Sequence, residues 1–351
     1  MADRTPGPYL ALALQVPTRP VAGLADDREI RGRIAANIAA IGTAITAAGP
    51  FLARQHGLPV RLVVLPEYVL TGAPGTGPFR EWRQQACVEP QGPEYAALGA
   101  IAASATCFLA GNAYEADPLF PGLYFQCSFV IDPAGAVILR YRRLVSLYSP
   151  SPVDVWDRYV ARYGLDGIYP VVDTDIGRLA AVASEEILYP EIARCHVLRG
   201  AEVLVHSTSE MGSPRATGKE LARQARAAEN LAYVVSANTA GVPGTGLPAR
   251  SSTGMSKIVD YEGRVVGEAP PGGATVAAHA VIDIAALRAC RQRAGAGNLL
   301  SRLPLQAFAA AYARESGRRP NELEGTADAS RAKLAELQAA TIERLARAGR
   351  I

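Results

Sequence analysis

The chain has 351 residues, 49% of them hydrophobic and 20% charged, with a formal net charge of +3. That length and apolar content suit one large α/β domain, or two average ones, with a sizeable core. So small and dispersed a charge gives no basis for a grip on nucleic acid or on an anionic membrane surface. Met1–Pro8 lacks the basic-then-apolar pattern of a leader and runs straight into an apolar strand. No uninterrupted apolar run approaches the roughly 18 residues that a membrane span needs. The cysteines (Cys87, Cys107, Cys127, Cys195 and Cys290) are odd in number and contain no CxxC pair. That argues against a disulfide framework or a metal site and for a reducing cytoplasm.

In chain order, Tyr9–Val16 reads as an apolar strand and Glu29–Ala48 as a helix ending before Gly49-Pro50. Arg61–Pro66 is a short apolar run closed by proline, the mark of a buried strand. Tyr95–Ser104 has helical spacing, and Cys107–Ala113 reads as a second buried strand. Phe125–Ile131 and Val137–Arg142 flank Asp132-Pro133-Ala134-Gly135, a hairpin turn. The second half repeats this alternation. Strands are expected at Leu179–Ala183, Val203–His206 and Tyr233–Ala237, with helices at Pro190–Arg199, closed by Gly200, and Lys219–Ala228. Pro243–Arg250 reads as a surface loop. Ser256–Asp260 and Arg264–Glu268 form a second hairpin, and Val276–Ile282 is the last strand. Two similar strand–helix halves predict two sheets packed face to face with helices outside. Residues 1–283 would form this domain and residues 284–351 a helical C-terminal extension. Its helices at Pro304–Arg314 and Ala329–Ala348 need something to cover their apolar stripe, which points to an oligomer contact.

Three strand ends carry groups that suit catalysis. Glu67 follows an apolar strand directly, where desolvation raises a carboxyl pKa and suits a general base. Arg142 and Arg143 end another strand, and adjacent residues on an extended chain face opposite sides, one toward a cleft and one toward solvent. Ser184 stands at a sharp strand-to-helix turn before Glu185-Glu186 and Tyr189-Pro190-Glu191, with proline suited to the first helical position. There a hydroxyl is accessible and backbone N–H groups can meet an oxyanion. Taken singly, each also reads as an ordinary structural residue. Of the histidines, His206 alone ends a strand, and packing is its expected role.

Taken together and in order, Leu65-Pro66-Glu67, Tyr141-Arg142-Arg143 and Ala183-Ser184-Glu185-Glu186 through Tyr189-Pro190-Glu191 resemble the Glu–Lys–Cys motifs of the nitrilase/amidase (carbon–nitrogen hydrolase) superfamily. Gly111-Asn112, Arg194, Gly200-Ala201-Glu202, Arg226–Asn230 and Asn238–Gly241 extend the likeness, which runs from Tyr9 to about Ile282. The resemblance implies a four-layer αββα sandwich with two mixed sheets, and a homodimer or higher homo-oligomer. It also implies a general base at Glu67, a cation at Arg143 that steadies the tetrahedral intermediate, and a nucleophile at Ser184. Ser184 stands where the family has cysteine, and Arg143 where it has lysine. A hydroxyl is far less acidic than a thiol and needs a His or Lys base, while arginine keeps the charge but never deprotonates. Leu144–Arg158 also lacks the glutamate that the family carries in this loop.

Two functions follow. One is a catalytically silent relative, a pseudoenzyme that binds a small amide- or carboxylate-bearing molecule. The other is an active amidohydrolase or acyltransferase on non-peptide C–N bonds with Ser184 as nucleophile. A cysteine deliberately replaced by serine is a third reading, disfavoured because Arg143 departs as well. Glu185, Ser209 and Glu210 are expected to line the cleft and bind a small amide, nitrile or carboxylate. Glu185 and Glu210 serve equally well as structural partners of Arg143 or Arg215. No motif for a cofactor, a phosphate loop or a metal is present.

Overall fold

The computed structural model describes residues 5–351 except 76, 214, 245–247, 249, 250, 316, 327 and 328. The loop expected at Pro243–Arg250 falls largely outside those residues. The strands are β1 (Tyr9–Ala13), β2 (Val60–Val64), β3 (Phe108–Glu115), β4 (Phe125–Ile131), β5 (Val137–Arg142), β6 (Val172–Thr174), β7 (Gly177–Ala183), β8 (Val203–Thr208), β9 (Tyr233–Asn238), β10 (Lys257–Val259), β11 (Val265–Glu268) and β12 (His279–Ile282). The helices are α1 (Asp27–His56), α2 (Phe79–Gln85), α3 (Pro93–Ala105), α4 (Trp156–Tyr163), α5 (Pro190–Leu198), α6 (Gly218–Asn230), α7 (Ile284–Gln292), α8 (Leu305–Tyr312) and α9 (Arg331–Arg347).

Among the described residues the strands form two six-stranded sheets, ordered β12-β1-β2-β3-β4-β5 and β11-β10-β9-β8-β7-β6. Both are mixed: β1-β2-β3 and β7-β8-β9 run parallel, and the outer strands pair antiparallel. The strand period of two builds the layers. Leu179, Ala181, Val203 and Val205 join the core between the sheets, while Ala180, Val182 and Leu204 face outward onto Ala193, Val197, Ala222 and Ala227 of α5 and α6. On the other side α1 and α3 cover the first sheet. This is the expected αββα sandwich.

The first helix is longer than expected. Asp26 caps it by accepting from Glu29 N at 2.9 Å, and it runs through Gly49-Pro50 to His56, where Gly57 closes it at φ 68°. Pro50 does not stop it. By length and composition α1 is apolar enough to cross a membrane, yet Ile30, Ile34, Ile38, Ile41, Ile45 and Leu52 are buried in the fold. Four elements were not placed from sequence, and all are short: α2, α4, α7 and the edge strand β6. In the C-terminal stretch, α7 is clamped to the second sheet, with Arg288 Nε donating to Glu202 at 2.7 Å and Arg291 Nη2 to Ala201 O at 2.7 Å. The start of α9 docks back onto the first half. Ala329 O accepts from Phe79 N at 3.0 Å, and Leu334 is buried.

The hairpin turn of β4 and β5 packs under α3 through two glycines. A Cβ at Gly99 would stand 2.5 Å from Gly135 O, and Gly135 itself holds φ at +88°. Neither backbone can retreat without moving α3 off the sheet. Gly99→Ala is therefore expected to destabilise the fold by about 1–3 kcal/mol, read as a lower midpoint in urea at unchanged slope; an unchanged midpoint would show that the helix can shift freely.

Candidate active site

The expected site residues lie at the carboxyl ends of strands, the usual place for ligands in open α/β sheets. The two sheets are tied together there. Ser207 Oγ donates to Leu65 O at 2.8 Å, and Glu67 N donates to Thr208 O at 3.2 Å. Glu67 is fully buried. Its Oε1 accepts from Gln126 Nε2 at 2.6 Å and Arg143 Nη1 at 3.3 Å, and its Oε2 from Ser209 Oγ at 2.8 Å.

Arg143 is only 2% exposed. Nη1 also donates to Gln126 Oε1 at 2.7 Å, Nε donates to Val145 O at 2.6 Å, and Nη2 meets Glu185 Oε1 in a short ion pair. Burial opposes this charge, but Glu67, Tyr68, Glu185 and Glu186 outweigh it and hold the guanidinium above its ordinary pKa. Arg142 faces the other way, as alternation requires, but not toward solvent. It is buried against Glu115 at 3.1 Å and Asp117 at 2.7 Å, and its guanidinium lies over the rings of Phe125, Tyr159 and Tyr163. The aromatic residues of α4, unplaced from sequence, form that second pocket.

Ser184 opens the short 3-10 turn Ser184–Leu188 at φ +49°, left-handed for a residue with a Cβ. Such a conformation costs on the order of 1–3 kcal/mol and persists only where its surroundings enforce it. Here His206 enforces it. Its Nε2 lies 2.8 Å from Ser184 O and its Nδ1 lies 2.8 Å from Ser236 Oγ. Burial, followed by the Arg223 charge, pushes the His206 pKa well down, so the ring is neutral. With a carbonyl as partner, Nε2 carries the proton and Nδ1 accepts. His206 therefore grips the Ser184 backbone and not its hydroxyl. The side chain that does reach Ser184 Oγ is Lys219, with Nζ at 3.3 Å.

Ser184, Arg143, Glu185, Ser209, Glu210 and Lys219 line one cavity of about 570 Å³, with Tyr68, Tyr148, Leu188, Met211 and Arg331 among the other walls. That volume suits a small organic ligand. Glu67 is not part of the lining; it stands behind Ser209 and Arg143. The structure thus brings guanidinium and hydroxyl to one cavity and sets the carboxylate one shell behind them. Of the other acids, Glu185 is held by Arg143, whereas Glu210 pairs with Arg223 at 2.6 Å and not with Arg215. Neither Cys127, buried in β4, nor Cys195, half-buried on α5, lines this cavity.

Sequence reasoning missed Gln126, Glu186 and Lys219. Gln126 left a signal, a polar residue inside the apolar strand Phe125–Ile131. So did Lys219, one of three lysines in an arginine-rich chain. Glu186 left none that separates it from Glu185. Its Oε1 accepts from Leu144 N at 2.7 Å and Val145 N at 3.0 Å, and its Oε2 from Tyr141 OH at 2.9 Å and Ala183 N at 3.2 Å. It thereby joins the end of β5 to the Ser184 turn.

Burial pushes the Glu186 carboxyl up to about 7, against the pull of Arg143 and of these donors. A carboxyl that binds its proton more tightly folded than unfolded contributes most below its ordinary pKa of 4.5, and that contribution falls as pH rises to about 7. Glu186→Gln removes the titration and turns an NH₂ toward donors. It is expected to cost about 1–3 kcal/mol, more at pH 4.5 than at pH 8. Paired denaturation curves across that range check this, and a constant difference would count against the raised carboxyl.

The profile of the carbon-nitrogen hydrolase family matches residues 17–292. A nitrilase and fragile histidine triad fusion protein, NitFhit, from Caenorhabditis elegans is 30% identical over 160 residues, covering 45% of this chain and 36% of that protein. A formamidase from Pseudomonas syringae pv. tomato is 28% identical over 218 residues, covering 62% of this chain and 58% of that protein. The chain thus spans less than two thirds of either relative. Among solved structures, Nit3 of Saccharomyces cerevisiae, a member of branch 10 of the nitrilase superfamily, aligns with a TM-score of 0.64 at 18% identity over 83% of this chain and 96% of that one. A Cys-to-Ser mutant of the Nesterenkonia AN1 amidase aligns with a TM-score of 0.59 at 19% identity over 86% and 97%. These structures share the sandwich, and the family profile spans both of its sheets: the chain belongs to the carbon-nitrogen hydrolase family.

Proposed function

We propose that the cavity is an amide site in which Ser184 accepts the acyl group of a small amide or nitrile, with hydrolysis or transfer to follow. The observation that carries this reading is the Ser184 hydroxyl, presented by a left-handed turn residue to a ligand-sized cavity that also holds the Arg143 charge. Relatives named as formamidase and nitrilase, and a double mutant of the Nesterenkonia amidase in complex with acrylamide, support a small C–N substrate class. In this reading Glu67 and Arg143 form a fixed pair that shapes and polarises the cavity.

One observation favours the silent alternative, a pseudoenzyme that binds an amide or carboxylate without turnover. Both oxygens of Glu67 are occupied by Gln126, Arg143 and Ser209, and no hydrogen bond joins Glu67 to Ser184 among the described residues. The two readings separate by experiment. With formamide, acetamide, acrylamide and short nitriles, the active reading expects ammonia and an acyl adduct on Ser184 by intact mass, both lost in Ser184→Ala. Absence of ammonia and adduct with every donor, together with no gain in a Ser184→Cys, Arg143→Lys double variant, would leave only the silent reading.

The same proposal includes a second copy of the chain as partner. It is supported by α8, which leaves Leu305, Phe308 and Tyr312 largely exposed in one short helix. Light scattering is expected to give at least a dimer mass, lowered in Phe308→Glu; a parent protein that stays monomeric at all concentrations would exclude this contact.

A further inference from the structure

The amide-site reading leaves open what takes the proton from Ser184, and the inference here rests on that reading. A serine hydroxyl is a weak nucleophile until an adjacent base accepts its proton. Glu67 stands behind the cavity wall with both oxygens occupied. His206 has both ring nitrogens engaged elsewhere. Arg143 never deprotonates. Lys219 remains: its Nζ lies 3.3 Å from Ser184 Oγ, and it lines the same cavity.

Three further observations distinguish this lysine. It sits in the first turn of α6, the end of a helix whose partial positive charge gives a cation no help. Thr217 fixes that turn by accepting from Glu220 N at 3.1 Å. Charge pairing separates Lys219 from the other lysines. Lys257 meets Glu220 at 3.0 Å and Glu268 at 2.8 Å, and Lys333 meets Glu336 at 3.0 Å. Lys219 has no ion pair among the described residues. The two acids nearest along the cavity wall are already taken, Glu185 by Arg143 and Glu210 by Arg223. In a chain whose cations are almost all arginine, the one cation that reaches the nucleophile among the described residues is of the type that can lose a proton.

We infer that Ser184 and Lys219 form a serine–lysine dyad in which Lys219 is the general base and acid of acyl transfer. As a free amine, Lys219 Nζ takes the hydroxyl proton while Ser184 Oγ bonds to the carbonyl carbon. Collapse of the tetrahedral species breaks the C–N bond, and the ammonium returns the proton to the departing nitrogen. An acyl ester on Ser184 and a neutral amine remain. Water repeats the sequence: its proton passes through Nζ to Ser184 Oγ, and the carboxylic acid leaves.

The test uses p-nitrophenyl acetate as acyl donor and acetamide as ligand on the full chain. The parent is expected to gain one acetyl group, mapped to Ser184. Lys219→Met and Lys219→Arg are both expected to acetylate about 10²–10⁴-fold more slowly, with unchanged thermal midpoints. Arginine is the informative variant, since it keeps the charge and reach but cannot accept the proton. Variants that acetylate within about threefold of the parent would overturn the dyad, as would rescue by arginine alone. If acetamide raises the parent's thermal midpoint but no acetyl reaches Ser184, the acyl-enzyme reading falls with the dyad and only the silent, amide-binding alternative stands, whereas a parent that acetylates no faster than its Lys219 variants overturns the dyad alone. If acetamide has no effect and no adduct forms, the amide-site reading fails and takes the dyad with it.

Discussion

The junction of the two sheets depends on one buried cation. Arg143 directly follows β5 of the first sheet, and its guanidinium touches Glu67, which follows β2 of the same sheet, and Glu185, which follows β7 of the other. A charge removed from water this fully persists only when paired and hydrogen-bonded, and removing one member of such a set is costly. The sheets must therefore meet in one register at this corner. Glu186 repeats the tie one residue further on, by accepting from the backbone beyond β5 and from Ala183 at the end of β7. The site is thus built from the constraint that joins the layers.

That constraint explains the conformation of Ser184. Its two following residues, Glu185 and Glu186, are both anchored to the end of β5, and His206 holds its carbonyl from the neighbouring strand β8. A left-handed serine between such anchors has little freedom to relax. The strain places its hydroxyl on the cavity side, where a nucleophile or a binding group is needed. Rigid support of this kind favours precise chemistry more than a flexible loop would.

The cavity also draws on the last part of the chain. Arg331, at the start of α9, lines the cavity and lies 4.3 Å over the ring of Tyr148. Ala329 pairs with Phe79, and Leu334 is buried, so this stretch is held against the domain by both backbone and apolar contacts. The tail is then part of the wall that a ligand meets, in addition to any role in assembly.

Much of the sandwich was legible in the sequence because its signals are local. A buried parallel strand is a short apolar run, a hairpin needs its Asp-Pro-Ala-Gly turn, and a helix announces its face by repeating Ile30, Ile34, Ile38, Ile41 and Ile45. Short pieces such as α2, α4 and β6 were not legible, since few residues carry each pattern, and Pro50 was misread because a long helix already packed on both sides tolerates it. Glu67, Arg143 and Ser184 could be named from strand ends and motif order alone. Their wiring could not. Whether Glu67 or Lys219 touches the serine, whether Glu210 chooses Arg223 or Arg215, and whether Arg142 meets solvent or an aromatic pocket are contacts between different elements, fixed by how those elements pack and not by neighbours along the chain. Sequence determined which elements form and where reactive groups end their strands, because those follow from neighbours along the chain. Only the tertiary structure decided which of those groups share a proton or a charge, because that is set by packing two sheets to within hydrogen-bond distance.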